Sequence, residues 1–544
     1  MLGMMMDRPL LISHLIEFGA RHHGGTEIVT RTIEGPIHRY TYAEAHERSK
    51  QVSNALTRLG IKLGDRVATL AWNTYRHFEL YFGISGIGAV CHTLNPRLFA
   101  GQLDYIINHA EDRLIFSDTS FVSVLEGLSD KLGKVEAIVF MCDRQDMPET
   151  SLPNVLCYED LLAGEDASFD WPEFDERTAS SLCYTSGTTG EPKGALYSHR
   201  STMLHTFAIC AAESFALSGS ETFLPVVPMF HANAWGVPYG CAMTGTKLVM
   251  PGARMEGDMI FEMLDKEDVT FTAGVPTVWL LLLDEMKKQG RKPNALKSVL
   301  VGGSAVPRAM IADFEGEFGV DVFHAWGMTE MSPVGTNGRL HHTMANQPDE
   351  ERWDAKAKQG RAVFAVEMKI VDGQGDRLPE DGVAFGELLV RGPWIASGYY
   401  KNENASEAAF DEEGWFRTGD VATIDASGIM QIVDRSKDVI KSGGEWISSI
   451  DLENAAMGHP AVAQAAVIGI EHPKWNERPL LIVVPVGGKQ PGKDDIVAFL
   501  EDKIAKWWLP DDVQFVDELP LTATGKISKL DLRKRFEDYK LPTA

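Results

Sequence analysis

The chain is predicted to be an α/β protein, with a large N-terminal domain of α/β layers, an antiparallel β subdomain and a small mobile α+β C-terminal lid. Three observations predict this. Helical patterns alternate with short apolar runs over most of the first four hundred residues, which implies α/β layers with substantial parallel sheet. From Glu367 the texture changes to strands separated by Gly/Asp turns. After Arg435 helical and strand-like segments mix again, over a stretch long enough for a small domain. A chain of 544 residues is also too long for one core. The domains are set at 1–433 and 434–544, with the boundary at Asp434.

Leu10, Leu11, His14, Leu15 and Phe18 mark an amphipathic first helix. The period then reads as helix over Tyr42–Leu59, strand over Arg66–Leu70, helix over His77–Gly88 and strand over Arg113–Phe116. Ala179–Tyr184 and Ala195–Tyr197 are apolar enough to be strands flanking a loop. Ile260–Lys266 (helix), Thr270–Ala273 (strand), Pro276–Gln289 (helix) and Ser298–Val301 (strand) continue the alternation. Glu367–Val371, Gly386–Arg391 and Ile429–Val433 are the strands of the β subdomain. In the lid, Ile450–Met457 and Asp494–Lys506 read as helices, and Ala463–Ile470, Leu480–Pro485 and Val513–Val516 as strands.

Hydrophobic residues at 44% and charged residues at 24% are ordinary for a soluble globular protein. A formal net charge of −25 argues against nucleic-acid binding and against attraction to an anionic membrane. The six cysteines are scattered without metal spacing and read as small core residues of a reduced protein. His14 and Glu17 interrupt the N-terminal apolar run, so no secretory signal is expected, and no apolar stretch is long enough to span a bilayer. The expected location is cytoplasmic.

The run from Tyr184 to Gly194 carries the chemistry. Thr185, Ser186, Gly187, Thr188, Thr189, Gly190 and Lys193 form an exposed loop between buried strands. Its glycines let backbone N–H groups approach an anion, its hydroxyls add donors, and Lys193 adds charge. It is not a Walker loop, because Pro192 precedes the lysine and Gly194 follows it. The bland alternative is a flexible linker with a solvated lysine. The run resembles the phosphate-binding loop of the adenylate-forming enzymes: acyl-CoA synthetases, luciferases and the adenylation domains of peptide synthetases.

The resemblance recurs in order along the chain and assigns roles at each match. In Val227–Gly236 it implies that His231 is an active-site residue and that Trp235 lines the acyl pocket, although Trp235 reads equally well as core. In Val301–Pro307 it implies that the adenine and acyl chain approach the backbone of Gly302, Gly303 and Ser304. The run His324, Ala325, Trp326, Gly327, Met328, Thr329 would contact the nucleotide, with Thr329 on phosphate, and Trp326 and Pro333 also facing the acyl group. Glu330, with Thr185, would hold Mg²⁺, a cation that takes a carboxylate plus phosphate oxygens. Asp420 would accept both ribose hydroxyls, and Arg435 would contact ribose and phosphate. Asp434 matches the hinge. The segment Lys441, Ser442, Gly443, Gly444, Glu445, Trp446 matches the stretch beside the pantetheine tunnel. Lys526 matches the lysine that bridges carboxylate and α-phosphate during adenylation.

The resemblance thus implies an ATP-dependent acid–thiol ligase using Mg²⁺, with ATP, coenzyme A and a small carboxylic acid as partners and a homodimer left open. Luciferase-like chemistry shares the same motifs, and a non-catalytic nucleotide sensor is disfavoured by Glu330, Asp420 and Lys526. Ala71–Asn73 and Val90–Phe99 resemble the fatty-acyl ligases of the medium-chain type, and more narrowly the 3-methylmercaptopropionate–CoA ligases of dimethylsulfoniopropionate breakdown.

Overall fold

A computed structural model describes residues 1, 3–185, 191–442, 445–489, 491–501, 503–522 and 527–544. The sequence-predicted residues Ser186, Gly187, Thr188, Thr189, Gly190, Gly443, Gly444 and Lys526 lie outside the described residues.

Two sheets dominate the N-terminal part. One has seven strands in the order Val155–Cys157, Ala137–Phe140, Leu114–Ser117, Arg66–Leu70, Val90–Thr93, Ala179–Tyr184 and Gly194–Ser198. Its pairs are parallel except the last, in which Tyr184 lies opposite Gly194. The other has nine strands in the order Arg361–Ala362, Val334–Asn337, Asp321–Gly327, Ser298–Val301, Phe271–Gly274, Thr222–Pro225, Lys247–Met250, Glu27–Arg31 and Ile37–Thr41. The β subdomain is a four-stranded antiparallel sheet of Glu367–Val371, Phe385–Arg391, Phe416–Ile424 and Met430–Arg435. The lid sheet has five strands, with Asp512–Phe515 parallel to Asn476–Pro485 at one side. The predicted layers are therefore observed.

Helix boundaries follow capping chemistry. The helix Tyr42–Arg58 starts at a capping box, in which Glu44 accepts the Thr41 N–H at 2.7 Å. The helix predicted from His77 starts earlier, at Tyr75, because the Thr74 hydroxyl accepts the His77 N–H. This helix is buried on every side, so its Glu79 carboxylate is paired with Arg48 at 2.7 Å and accepts the Tyr158 hydroxyl at 2.6 Å.

Two expectations are corrected. The first helix runs over Ser13–His23, and Phe18 is 45% exposed. Ile12, Leu15, Ile16 and Gly19 form the buried face, where Gly19 lies close to the Ala242 carbonyl. The predicted helix Asp494–Lys506 is observed as Lys493–Glu501 and a separate 3₁₀ turn, Lys506–Trp508. The turn lets Arg478 bind the carbonyls of Trp507 and Leu509, at 2.8 and 3.0 Å. All six cysteines are unpaired, and five of them are buried.

Candidate active site

The site grows from the carboxyl ends of the two large sheets. In the nine-stranded sheet the chain runs from Thr222–Pro225 to one neighbour and then to the other, Phe271–Gly274, so the order reverses there. Such a reversal opens a crevice beyond the strand ends. The segment leaving Pro225 carries His231, whose N–H donates to the Pro228 carbonyl at 3.0 Å. Val226 and Val227 both donate to the Ala273 carbonyl, at 2.9 and 3.1 Å, and splay the chain outward. Asn73, just past the strand Arg66–Leu70 of the other sheet, donates to the carbonyls of Pro225 and Val227, both at 2.9 Å, and accepts the Met229 N–H at 2.7 Å. One amide thereby locks the segment before His231 onto the seven-stranded sheet.

After His231 the backbone coils the wrong way. Ala232, Asn233, Ala234 and Trp235 have φ of 44°, 52°, 50° and 57°, before Gly236 at 77°. Asn tolerates this region, but each of the other three costs about 1 kcal/mol or more there. Asn233 holds the turn by donating to the Ser181 hydroxyl at 2.8 Å while its carbonyl oxygen accepts the Cys183 thiol. The turn aims the Trp235 ring at the backbone of Gly302, where an added Cβ would lie 2.7 Å from the ring edge. Trp235 and Gly302 are therefore brought together, and Trp235 is both largely buried and a wall over the glycine turn.

Gly302, Gly303 and Ser304 leave the strand Ser298–Val301, whose neighbour Asp321–Gly327 presents His324 opposite Val301. His324 is buried and donates through Nδ1 to the Ala357 carbonyl at 3.0 Å. Burial lowers its pKa to about 4, so it stays neutral. Gly303 has φ of 83°, a conformation that favours glycine. Gly327 has the Pro333 carbonyl oxygen 2.0 Å from where a Cβ would sit, so no side chain fits, and that carbonyl accepts the Met328 N–H at 3.0 Å. Pro333 is thus placed beside Gly327 and Met328. The Trp326 indole donates to one oxygen of buried Asp420 at 2.9 Å, and Arg435 lies 2.8 Å from the other. Each carboxylate oxygen keeps a second lone pair, enough for two hydroxyls of a ligand.

The two described ends of the segment Thr185–Lys193 are bonded to each other. The Thr185 N–H donates to the Lys193 carbonyl at 2.9 Å, and the Thr185 hydroxyl accepts the Lys193 N–H at 3.2 Å. The Lys193 ammonium lies 4.9 Å from the centroid of the Tyr399 ring. The Tyr399 hydroxyl donates to Glu330 at 2.7 Å. Glu330 and Thr329 sit in a 3₁₀ turn, pinned where Tyr197 donates to the Thr329 carbonyl at 2.5 Å. Among the described residues no three metal-binding side chains cluster. A metal held by Glu330 would need oxygens from a phosphate ligand, and that donor set fits Mg²⁺.

Asp434 lies in the last strand of the β subdomain and accepts the Ser449 N–H at 2.8 Å, at the start of the lid helix Ser449–Met457. Burial pushes its carboxyl pKa up. In the lid, Lys441 is exposed, its N–H bound to Glu477 at 2.8 Å. Ser442 is buried and accepts from Arg478 at 3.2 Å. Glu445 pairs with Ser442, and Trp446 with Lys441, along the strand.

The family described as "AMP-binding enzyme" matches residues 16–400, and its C-terminal domain matches residues 451–526. The chain belongs to the AMP-binding enzyme family. It is 50% identical to the 3-methylmercaptopropionyl-CoA ligase of Ruegeria lacuscaerulensis, over 99% of both chains. It is 46% identical to the medium-chain-fatty-acid–CoA ligase of Ectopseudomonas oleovorans, over 99% of this chain and 98% of that one. The crystal structure of the anthranilate CoA ligase AuaEII with anthranoyl-AMP superposes with a TM-score of 0.87 at 25% identity, covering 98% of each chain. This AMP-binding enzyme is an acyl-CoA synthetase: ATP converts a carboxylic acid into an acyl-adenylate, and coenzyme A takes the acyl group. Among the described residues, no helix is long and apolar enough to cross a membrane.

Sequence reasoning missed three residues that bond to candidate site residues of this AMP-binding enzyme or to the segments carrying them. Asn73 was read only for its resemblance, and no periodicity signals that its amide clamps another sheet. Tyr399 follows a Ser-Gly turn that looks like any loop. Tyr197 reads as an apolar strand residue, and only the fold brings it to Thr329.

Proposed function

We propose that the acid activated is 3-methylmercaptopropionate, with short- and medium-chain fatty acids accepted beside it. The observation carrying this reading is the Trp235 ring seated on Gly302, a bulky wall at the place where the acyl chain is proposed to lie. The identity to a ligase named for that acid supports it. The acid carries a thioether in a short apolar chain, and apolar pockets separate neighbouring chain lengths by only about 1–3 kcal/mol per methylene.

In this reading ATP phosphates lie on the loop from Thr185 to Lys193, the adenine against Gly303, Ser304 and His324–Met328, and the ribose on Asp420 and Arg435. Thr329 contacts phosphate. Glu330 and Thr185 hold Mg²⁺, which when bound supplies positive charge to the phosphate oxygens. His231 lies between adenylate and acyl pocket, whose walls are Trp235, Gly302, Gly303, Trp326 and Pro333. An oxygen of the acid attacks the α-phosphorus, the bond to pyrophosphate breaks, and Lys526 stabilises the accumulating charge. The lid, 434–544, then turns about Asp434, carrying Lys526 away and bringing Lys441–Trp446 to the thiol. Sulfur attacks the acyl carbon, its proton leaves and AMP departs. Positioning and electrostatics suffice, because AMP is a good leaving group. Six unpaired thiols fit a reducing compartment, and we place the enzyme in the cytoplasm.

Pyrophosphate release across acids from acetate to laurate, with 3-methylmercaptopropionate included, tests the substrate. The highest kcat/KM is expected for 3-methylmercaptopropionate or an acid of similar length. A maximum at octanoate or beyond would overturn this reading in favour of a medium-chain ligase.

A further inference from the structure

We propose that Tyr399 is a positioning residue that sets both the Glu330 carboxylate and the Lys193 ammonium from a single side chain. The inference rests on the reading of Glu330 as the metal carboxylate and Lys193 as a phosphate ligand. Glu330 follows a strand of the nine-stranded sheet, whereas Lys193 precedes a strand of the seven-stranded one. Tyr399 touches both. Its hydroxyl donates to Oε1 of Glu330 at 2.7 Å, and its ring centroid lies 4.9 Å from the lysine Nζ. A charge-assisted hydrogen bond fixes which carboxylate oxygen stays available, and a cation over a ring face is held without spending its donors. Lys193 therefore keeps its N–H groups for a ligand.

The segment carrying Tyr399 is itself bonded to both sides. Ala396 donates to the Glu330 carbonyl at 2.7 Å, and the Ser332 hydroxyl to the Trp394 carbonyl at 2.9 Å. On the other side, Tyr400 donates to the Gly194 carbonyl at 2.8 Å, and Lys401 binds Glu111 at 2.8 Å. The Tyr399 N–H is held by the Ser406 hydroxyl at 2.8 Å. The ring thus has fixed backbone support next to each charge it contacts.

Tyr399→Phe keeps the ring and removes the hydroxyl, Tyr399→Leu removes both, and Glu330→Gln is the reference. Mn²⁺ binding with a non-hydrolysable ATP analogue, followed by electron paramagnetic resonance, is measured with metal-free ATP affinity and the rates of both half-reactions. Tyr399→Phe should weaken Mn²⁺ binding about tenfold, as loss of a residue orienting a metal ligand does. It should keep metal-free ATP affinity, and acyl transfer from pre-formed acyl-AMP should fall far less than adenylation. Tyr399→Leu should also weaken metal-free ATP binding, by about threefold. Parental Mn²⁺ binding in Tyr399→Phe, with binding lost in Glu330→Gln, overturns the role of Tyr399 alone. Parental binding in Glu330→Gln overturns the metal reading and the inference with it. Melting temperatures accompany each variant, and if Tyr399→Leu unfolds, the Phe variant decides.

Discussion

Gly302→Ala tests whether Trp235 sets acyl length. The new methyl carbon would lie 2.7 Å from Cη2 and 3.2 Å from Cζ3 of Trp235, and 3.2 Å from the Ala325 carbonyl oxygen. Comfortable carbon–carbon contact is about 3.5–4.0 Å, so the ring must retreat by about 1 Å. Its backbone cannot follow, because the left-handed turn is held by Asn233 and the segment before it by Asn73. The ring must swing away from residue 302, into the space proposed for the acyl chain. Overpacking of this kind costs about 1–3 kcal/mol of stability. Each methylene pushed out of the pocket costs a similar amount of transition-state binding, about 10- to 200-fold in kcat/KM. Pyrophosphate release over the acid series should therefore fall steeply for the longest accepted acids and stay near the parent value for acetate and propionate. A uniform loss at all chain lengths would refute the reasoning, as would an unchanged profile in a variant whose lowered melting temperature shows that the clash is real.

Lys526→Ala should slow acyl-AMP formation by about 10²–10³ while sparing acyl transfer from pre-formed acyl-AMP; a normal adenylation rate would remove Lys526 from the mechanism. Asn73→Ala leaves the Met229 N–H and two carbonyls without their partner, so denaturant unfolding should show a loss of at least about 2 kcal/mol, and KM for the acid should rise. Unchanged stability would mean that another group takes over the clamp. Asp118 accepts the Trp72 N–H at 2.7 Å, and burial raises its pKa from 3.8 to about 7. The folded state then binds the proton more tightly than the unfolded chain, so its contribution is full below about pH 4 and declines as pH rises to about 7, by up to about 4 kcal/mol. Asp118→Asn should flatten that decline in melting temperature against pH; an unaltered profile would contradict it.

Much of the fold was legible because periodicity reports local burial. The strand Ser298–Val301 and the helix Pro276–Gln289 stand at the residues their patterns mark. The first helix was misread at Phe18, because Phe looks apolar wherever it points, whereas the face that packs is chosen by what lies opposite, here the Ala242 backbone at Gly19. The expected helix Asp494–Lys506 stops at Glu501, and past it Arg478, distant in the chain, binds the carbonyls of the following turn, Trp507 and Leu509.

The sequence by itself determined the chemistry of the individual motifs. A loop of glycines and hydroxyls ending in lysine offers donors and positive charge, and a glycine is free to take the positive φ observed at 303. Those properties belong to the residues and their immediate neighbours, so they can be read without a fold. The tertiary structure decided the partnerships: Trp326 with Asp420, Tyr399 with Glu330 and Lys193, and Asn73 with the backbone before His231. Each joins positions far apart in the chain through a hydrogen bond or ring contact that works only at a few ångströms. No local pattern encodes such a distance. It arises when two sheets, each formed for its own apolar faces, turn their carboxyl ends toward one crevice.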